Sequence, residues 1–166
     1  MTQPLFAQFQ PLAAIATTPL AAQTLQPLCQ GTGAVLWLPE SLPHQENARV
    51  YSGSLKAHIA SIWQDYRAFV FCLATGAVVR LIAPLLKDKS NDPAVVVADP
   101  EGRFAISLSG GHQGGADLLA RLVAHQLGAT PVITGASNSL GLPGIDVLGL
   151  PYGWKRGTGE WNGVLA

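Results

Sequence analysis

Ala68-Phe69-Val70-Phe71-Cys72-Leu73 is a run of apolar residues with no polar alternation. A strand of this composition must be covered on both faces, the situation of a parallel sheet held between two layers of helix. Other strand-like runs recur along the chain, separated by stretches with helical spacing. Leu12 to Thr17 reads as a first strand, and Pro19 to Cys29 as a helix opened by Thr18 and Pro19. Gly31-Thr32-Gly33 turns the chain into a second strand, Ala34 to Leu38, and a polar loop through Pro39, Pro43 and Gln45-Glu46-Asn47 follows. Leu55, Ile59, Ile62, Trp63 and Tyr66 recur at helical spacing behind a cap at Ser54, and they are read as a core face.

Beyond the strand at 68–73 come a helix from Ala77 to Leu86, a loop closed by Asp92-Pro93, and strands at Ala94 to Ala98 and Arg103 to Leu108. Asp99-Pro100-Glu101-Gly102 between those strands predicts an antiparallel hairpin. A helix ending at Gly128 and a strand from Pro131 to Thr134 complete the pattern, with no internal repeat. The predicted fold is α/β, a mostly parallel three-layer sheet with an added β-hairpin. Residues 1–138 are assigned to this domain. Residues 139–166, dense in Gly and Pro and carrying Trp154 and Trp161, read as a linker or the start of a further, middle domain.

Composition removes several classes of partner. Ten basic and ten acidic side chains balance to zero formal charge, so neither nucleic acid nor an anionic membrane surface is expected as a partner. Only 12% of residues are charged, and a surface so neutral is expected to meet another subunit (as in a homodimer), another domain or a bulky apolar ligand. The apolar stretch 68–86 is interrupted by Thr75-Gly76, Arg80 and Pro84, which argues for a strand, a turn and a buried helix against a membrane span. Cys29 and Cys72 make no disulfide framework, and Cys72 is read as an inert core thiol. No secretory signal opens the chain, and the cytoplasm is the expected compartment.

The chemistry concentrates in Ser109-Gly110-Gly111-His112-Gln113-Gly114-Gly115-Ala116-Asp117, between a strand and a helix. Glycines at such a junction admit a ligand close to the backbone, and a helix start offers N–H groups to an anion or oxyanion. His112 reads either as a general acid or base, or as a loop histidine bonded to a carbonyl. His44 and His58 have no comparable setting, and His125 complements a helix carboxyl end. No histidine pair has metal-ligand spacing, so neither a protein-bound metal nor a cofactor is expected. The double glycines match neither a P-loop nor a dinucleotide fingerprint, which leaves nucleotide binding a minor option. Two more loops, Thr75-Gly76 and Thr134-Gly135-Ala136-Ser137-Asn138, follow strands, and all three are expected to converge beyond the carboxyl ends of the sheet. Arg80 interrupts an apolar helix and is read as a buried or cleft-facing cation that a ligand carboxylate would satisfy; Lys87, Lys89 and Asp92 lie around that helix's end, where solvated cations suit the dipole. His112 and Arg80 are expected to face one shared hollow.

Three ordered blocks, residues 76–89, 92–97 and 111–116, resemble the amino-terminal region of the CbiG family, the cobalt-precorrin-5A hydrolases of anaerobic cobalamin (vitamin B12) biosynthesis. The resemblance runs from about Tyr51 to Asn138. It implies hydrolytic opening of a δ-lactone on a cobalt-tetrapyrrole, with loss of acetaldehyde. It further implies His112 as the group that activates water or carries a proton, Gly114 and Gly115 N–H groups on the oxyanion, and Arg80, Lys87 and Lys89 on substrate carboxylates. Gly76, Ser109, Gly110, Gly111 and Thr134 would line the substrate, and cobalt would arrive inside it. Where the family often has serine and asparagine, this chain has Gly110 and Asp117, which leaves Ser109 as the hydroxyl for that place. Family members continue into further domains, and in some lineages the region is fused to a precorrin methyltransferase. No S-adenosylmethionine site is recognisable here. The alternative is a noncatalytic module that binds tetrapyrroles or docks a pathway methyltransferase.

Overall fold

The computed structural model describes residues 4–88, 91–111 and 115–135. A 3-10 turn (Pro4–Phe9) precedes β1 (Leu12–Ala16), α1 (Pro19–Thr32), β2 (Val35–Pro39) and β3 (Ala48–Tyr51). Then come α2 (Leu55–Ile62), β4 (Ala68–Cys72), α3 (Thr75–Ile82), a 3-10 turn (Ala83–Leu85) and β5 (Ala94–Ala98). β6 (Phe104–Ser109), α4 (Ala116–Leu127) and β7 (Thr130–Val132) follow. One sheet holds every strand among the described residues, in the order β3-β2-β1-β4-β5-β6-β7.

Alternate residues of the central strands go to opposite layers. Leu12, Ala14, Ala16, Val70 and Val96 pack with Leu25 and Leu28 of α1 and with Leu119, Ala120 and Val123 of α4. Ala13, Ile15, Phe69, Phe71, Val95 and Val97 pack with Ile59 and Ile62 of α2 and with Val78 and Ile82 of α3. Every residue of β1, β4 and β5 is buried, as their unbroken apolar sequences require. Each large side chain removed from water contributes about 1.5–3 kcal/mol, and this double layer holds the sheet rigid under its loops.

Local signals set the element ends. Thr18 caps α1 by accepting from the Ala21 N–H, and Ser54 caps α2 by accepting from Ala57. The first helix continues past Cys29 through the expected turn, because buried Thr32 donates its hydroxyl to the Leu28 carbonyl at 2.7 Å. Termination waits for Gly33, whose left-handed φ of 74° suits glycine. The expected helix 77–86 starts earlier and closes sooner, since Pro84 lacks the N–H that would continue α3. β3 follows the expected polar loop, where the sequence pattern assigns no element; it is a short edge strand with Arg49 and Val50 exposed, so it carries no apolar pattern.

Strand direction matters most for function. β3, β2, β1, β4 and β5 are mutually parallel, β6 is antiparallel to β5, and β7 follows β6. Ser109, the last residue of β6, stands opposite Val95 near the start of β5. The loop after β6 therefore leaves the sheet at the amino edge of the parallel strands. β5 spans five residues, so about 13 Å separates that edge from the carboxyl edge. One compact unit reaches to Thr134; the expected boundary at 138 and the segment 139–166 lie outside the described residues. No helix among the described residues is long and apolar enough to cross a membrane.

Candidate functional site

The glycine loop is framed by two backbone hydrogen bonds and one side-chain hydrogen bond. The Ala116 N–H donates to the Gly110 carbonyl at 3.0 Å, and the Asp117 N–H donates to the Gly111 carbonyl at 3.2 Å. These are first-turn donors of α4, so the loop itself consumes N–H groups that were expected to remain open to a ligand. Ser107 donates its hydroxyl to Asp117 Oδ1 at 2.7 Å in a partly buried setting, tying β6 to the start of α4. A charge-assisted bond of this kind is stronger than a neutral one.

Three glycines have steric reasons to be there. Gly110 has φ of 78° and Gly115 has φ of 80°, a region that a side chain enters at a cost. At Gly115 a Cβ would also lie 3.0 Å from the Phe9 ring, and at Gly111 it would lie 3.2 Å from Asp117 Oδ1. Phe9, from the 3-10 turn before β1, is buried and forms the floor under the loop's exit. Neither Ser107 nor Phe9 was singled out from the sequence, and Asp117 was noted only as a departure from the family. The available signal was Ser107-x-Ser109 at the strand end, followed by an acid in the first helical turn.

The predicted residues divide between the two edges. Ser109, Gly110, Gly111 and Gly115 stand at the amino edge, and exposed Thr134 follows β7 to the same edge. The connection bearing exposed Lys87 enters β5 there too, folded by Asp92, whose carboxylate accepts from the backbone N–H groups of Lys87 at 2.8 Å and Asp88 at 3.0 Å. Gly76 does not join them. It opens α3 at the carboxyl edge beyond β4, because β4 and β6 run in opposite directions, so the expected convergence of three loops reduces to two. A Cβ on Gly76 would meet nothing within 4 Å. Arg80 is exposed on α3, in neither the core nor a cleft, since the buried stripe of that helix is Val78 and Ile82. α3 covers the opposite face of the sheet from α4, which removes the geometric basis for a hollow shared with Arg80. His112, Gly114 and Lys89 lie outside the described residues.

Electrostatics leave the remaining titratable groups outside this site. Burial pushes the Cys72 thiol up to about 12, with the Asp99 charge adding to it, and burial does the same for Cys29. Neither is a nucleophile near neutral pH. Arg103 donates Nε to Asp99 Oδ2 at 2.8 Å across the exposed hairpin, and that bond holds the Asp99 carboxyl below its ordinary range. Among the described residues no group of His, Cys, Asp or Glu is arranged to hold a metal ion.

Residues 57–138 match the family model described as cobalamin synthesis G N-terminal. The chain is 44% identical over 116 residues to a cobalt-precorrin-5A hydrolase of Priestia megaterium, covering 70% of this chain and 31% of that protein. It is 51% identical over 98 residues to the cobalt-precorrin-5A hydrolase of Salmonella typhimurium, covering 59% of this chain and 28% of the relative. The chain thus spans under a third of the length of these curated relatives. A solved structure of a cobalamin biosynthesis protein G homolog from Sulfolobus solfataricus superposes with a TM-score of 0.56 at 28% identity, over 74% of this chain and 36% of that one. The matched stretch contains the glycine loop, its Ser107–Asp117 tie and the helix behind it, and this part of the chain is an amino-terminal region of the CbiG family.

Proposed function

We propose that this chain is the amino-terminal part of a cytoplasmic cobalt-precorrin-5A hydrolase acting in cobalamin biosynthesis. The observation that carries the reading is the glycine loop at the amino edge, built around absent side chains inside the stretch that matches the family model. The substrate is a cobalt-tetrapyrrole bearing a δ-lactone. Water adds to the lactone carbonyl, the ring C–O bond breaks, and the proton taken from water returns to the departing oxygen. The hydroxyl so formed then becomes a carbonyl as the C–C bond joining its two-carbon unit to the macrocycle breaks. The macrocycle takes up the electron pair and the hydroxyl proton, and the unit leaves as acetaldehyde. His112 carries the proton taken from water. N–H groups of Gly114 and Gly115 face the developing oxyanion, an arrangement that strengthens most where water is excluded. Ser109 and Thr134 offer hydroxyls, and Lys87 meets a peripheral carboxylate from the same edge, with Lys89 given the same role by the family resemblance. Downstream domains complete the enzyme, which fits the span of under a third of the relatives' length.

The test uses the full-length protein with cobalt-precorrin-5A, reading acetaldehyde release. His112→Ala is expected to lower turnover by about 100-fold or more, the usual range for loss of a proton carrier. A normal rate in that variant favours the other reading, a noncatalytic module that holds tetrapyrroles or docks a pathway methyltransferase.

A further inference from the structure

A second feature stands far from the glycine loop, at the carboxyl ends of β2 and β3 beside the first turns of α2. A hollow of about 500 Å³ is lined there by Trp37, Tyr51, Ser52, Ala57, His58 and Ser61, among others. It is a wide-mouthed depression, open enough to take one face of a small ring. The imidazole of His58 stacks flat on Tyr51, with centroids 4.4 Å apart and planes 4° apart. Its other neighbour is Trp37, at 4.5 Å and tilted by 58°. Trp37 is fixed in turn, its Nε1 donating to the Tyr66 hydroxyl at 3.0 Å.

Two groups in this cluster are unspent. His58 Nε2 is buried and has no hydrogen-bond partner among the described residues, so the fold leaves it a polar atom to satisfy. Burial also holds the ring's pKa below its ordinary value, so the imidazole is neutral near pH 7. Arg49 stands directly across from Trp37 in the β2–β3 register and holds its guanidinium 5.7 Å from the indole centroid. It is exposed and has no carboxylate partner among the described residues. Ala57 and Ser61 present small exposed side chains on α2, which leaves the space open.

We propose that this hollow binds a flat conjugated ring bearing a carboxylate, the ring against Trp37 and His58 and the carboxylate on Arg49. Aromatic side chains select a planar ligand, and an unneutralised guanidinium in a chain of zero formal charge selects an acidic one. One cation is too few for a polyanion such as nucleic acid. The ring could be a free aromatic acid or one corner of a carboxylated tetrapyrrole; the chemistry is shared.

Titrating the full chain with 2-naphthoate and, separately, with uroporphyrin distinguishes the two sources through the probes' own optical bands. At least one probe is expected to bind saturably and to weaken about 10-fold in Arg49→Gln and further in Ser61→Trp, where a new ring fills the hollow. Both positions are exposed, and an unchanged thermal transition confirms the fold of each variant. Arg67→Gln, an exposed cation just before β4 at the other edge, leaves 2-naphthoate affinity unchanged. The proposal is overturned if neither probe binds, or if both affinities survive Arg49→Gln and Ser61→Trp. Acetaldehyde release plays no part in this test, so the hydrolase reading stands or falls separately.

Discussion

The two edges of the sheet are built on opposite principles. At the amino edge the glycine loop is defined by what it leaves out: Gly115 has no room for a Cβ beside Phe9, and Gly111 has little beside Asp117. At the carboxyl edge Gly76 sits in open space with an ordinary φ, while aromatic rings supply the local structure around His58. Glycine thus marks a constrained backbone at one edge and is sterically dispensable at the other. A site read from glycine content alone would merge the two; strand direction separates them.

The sharpest contrast is a pair of identical substitutions. Gly115→Ala forces a left-handed alanine, costing about 1–2 kcal/mol, and presses its Cβ against Phe9, which adds on the order of 1–3 kcal/mol. The melting temperature of the domain is expected to fall by about 10 °C or more, and calorimetry reads it directly. Gly76→Ala is expected to be neutral, or to stabilise by up to about 1 kcal/mol through helix propensity. Equal effects at both positions would erase the distinction between the edges.

Next in size is the tie between β6 and α4. Ser107→Ala removes the donor to a partly buried carboxylate, and unfolding in urea is expected to show a loss of about 1–2 kcal/mol. On the proposed hydrolase reading, the full-length protein carrying this variant should lose turnover without a matching change in KM, because the tie positions the loop. A pure stability effect with normal kinetics would assign Ser107 to the scaffold alone.

The effect smallest near neutral pH concerns Cys72 and appears only in alkaline solution. Its folded-state pKa of about 12 lies above the ordinary 9.0 through burial. Stability from this group is fully present below pH 9 and is lost as pH rises toward 12, because the unfolded chain releases the thiol proton first. Cys72→Ala should make that limb of a denaturation series shallower, leaving the part that buried Cys29 supplies. In the native protein the thiol should resist alkylation at pH 8, and rapid labelling there would contradict its burial.

Much of this fold was legible because its signals are local. Thr18, Ser54 and Gly128 announced helix ends, and Asp99-Pro100-Glu101-Gly102 announced the hairpin. The unbroken strands at β4 and β5 required two covering layers, and both are present. What escaped depends on contacts between distant segments. β3 exists by pairing with β2, with no strong pattern of its own. The hairpin was foreseen, but its consequence was not: reversing β6 moves the following loop to the far edge, parting Gly76 from Gly110. The Ser107–Asp117 bond and the His58–Tyr51 stack unite residues from separate elements, and neither leaves a periodic trace in sequence.

Phe9 gives the opening turn of the chain an influence beyond its own neighbourhood. Its ring is wedged beneath the residue that launches α4, so the loop's exit is propped by a segment threaded long before it. Variation among the first ten residues would then be felt as altered behaviour of a loop they never flank in sequence. Trimming or tagging the amino terminus is, for this molecule, a perturbation delivered to the doorstep of the fourth helix.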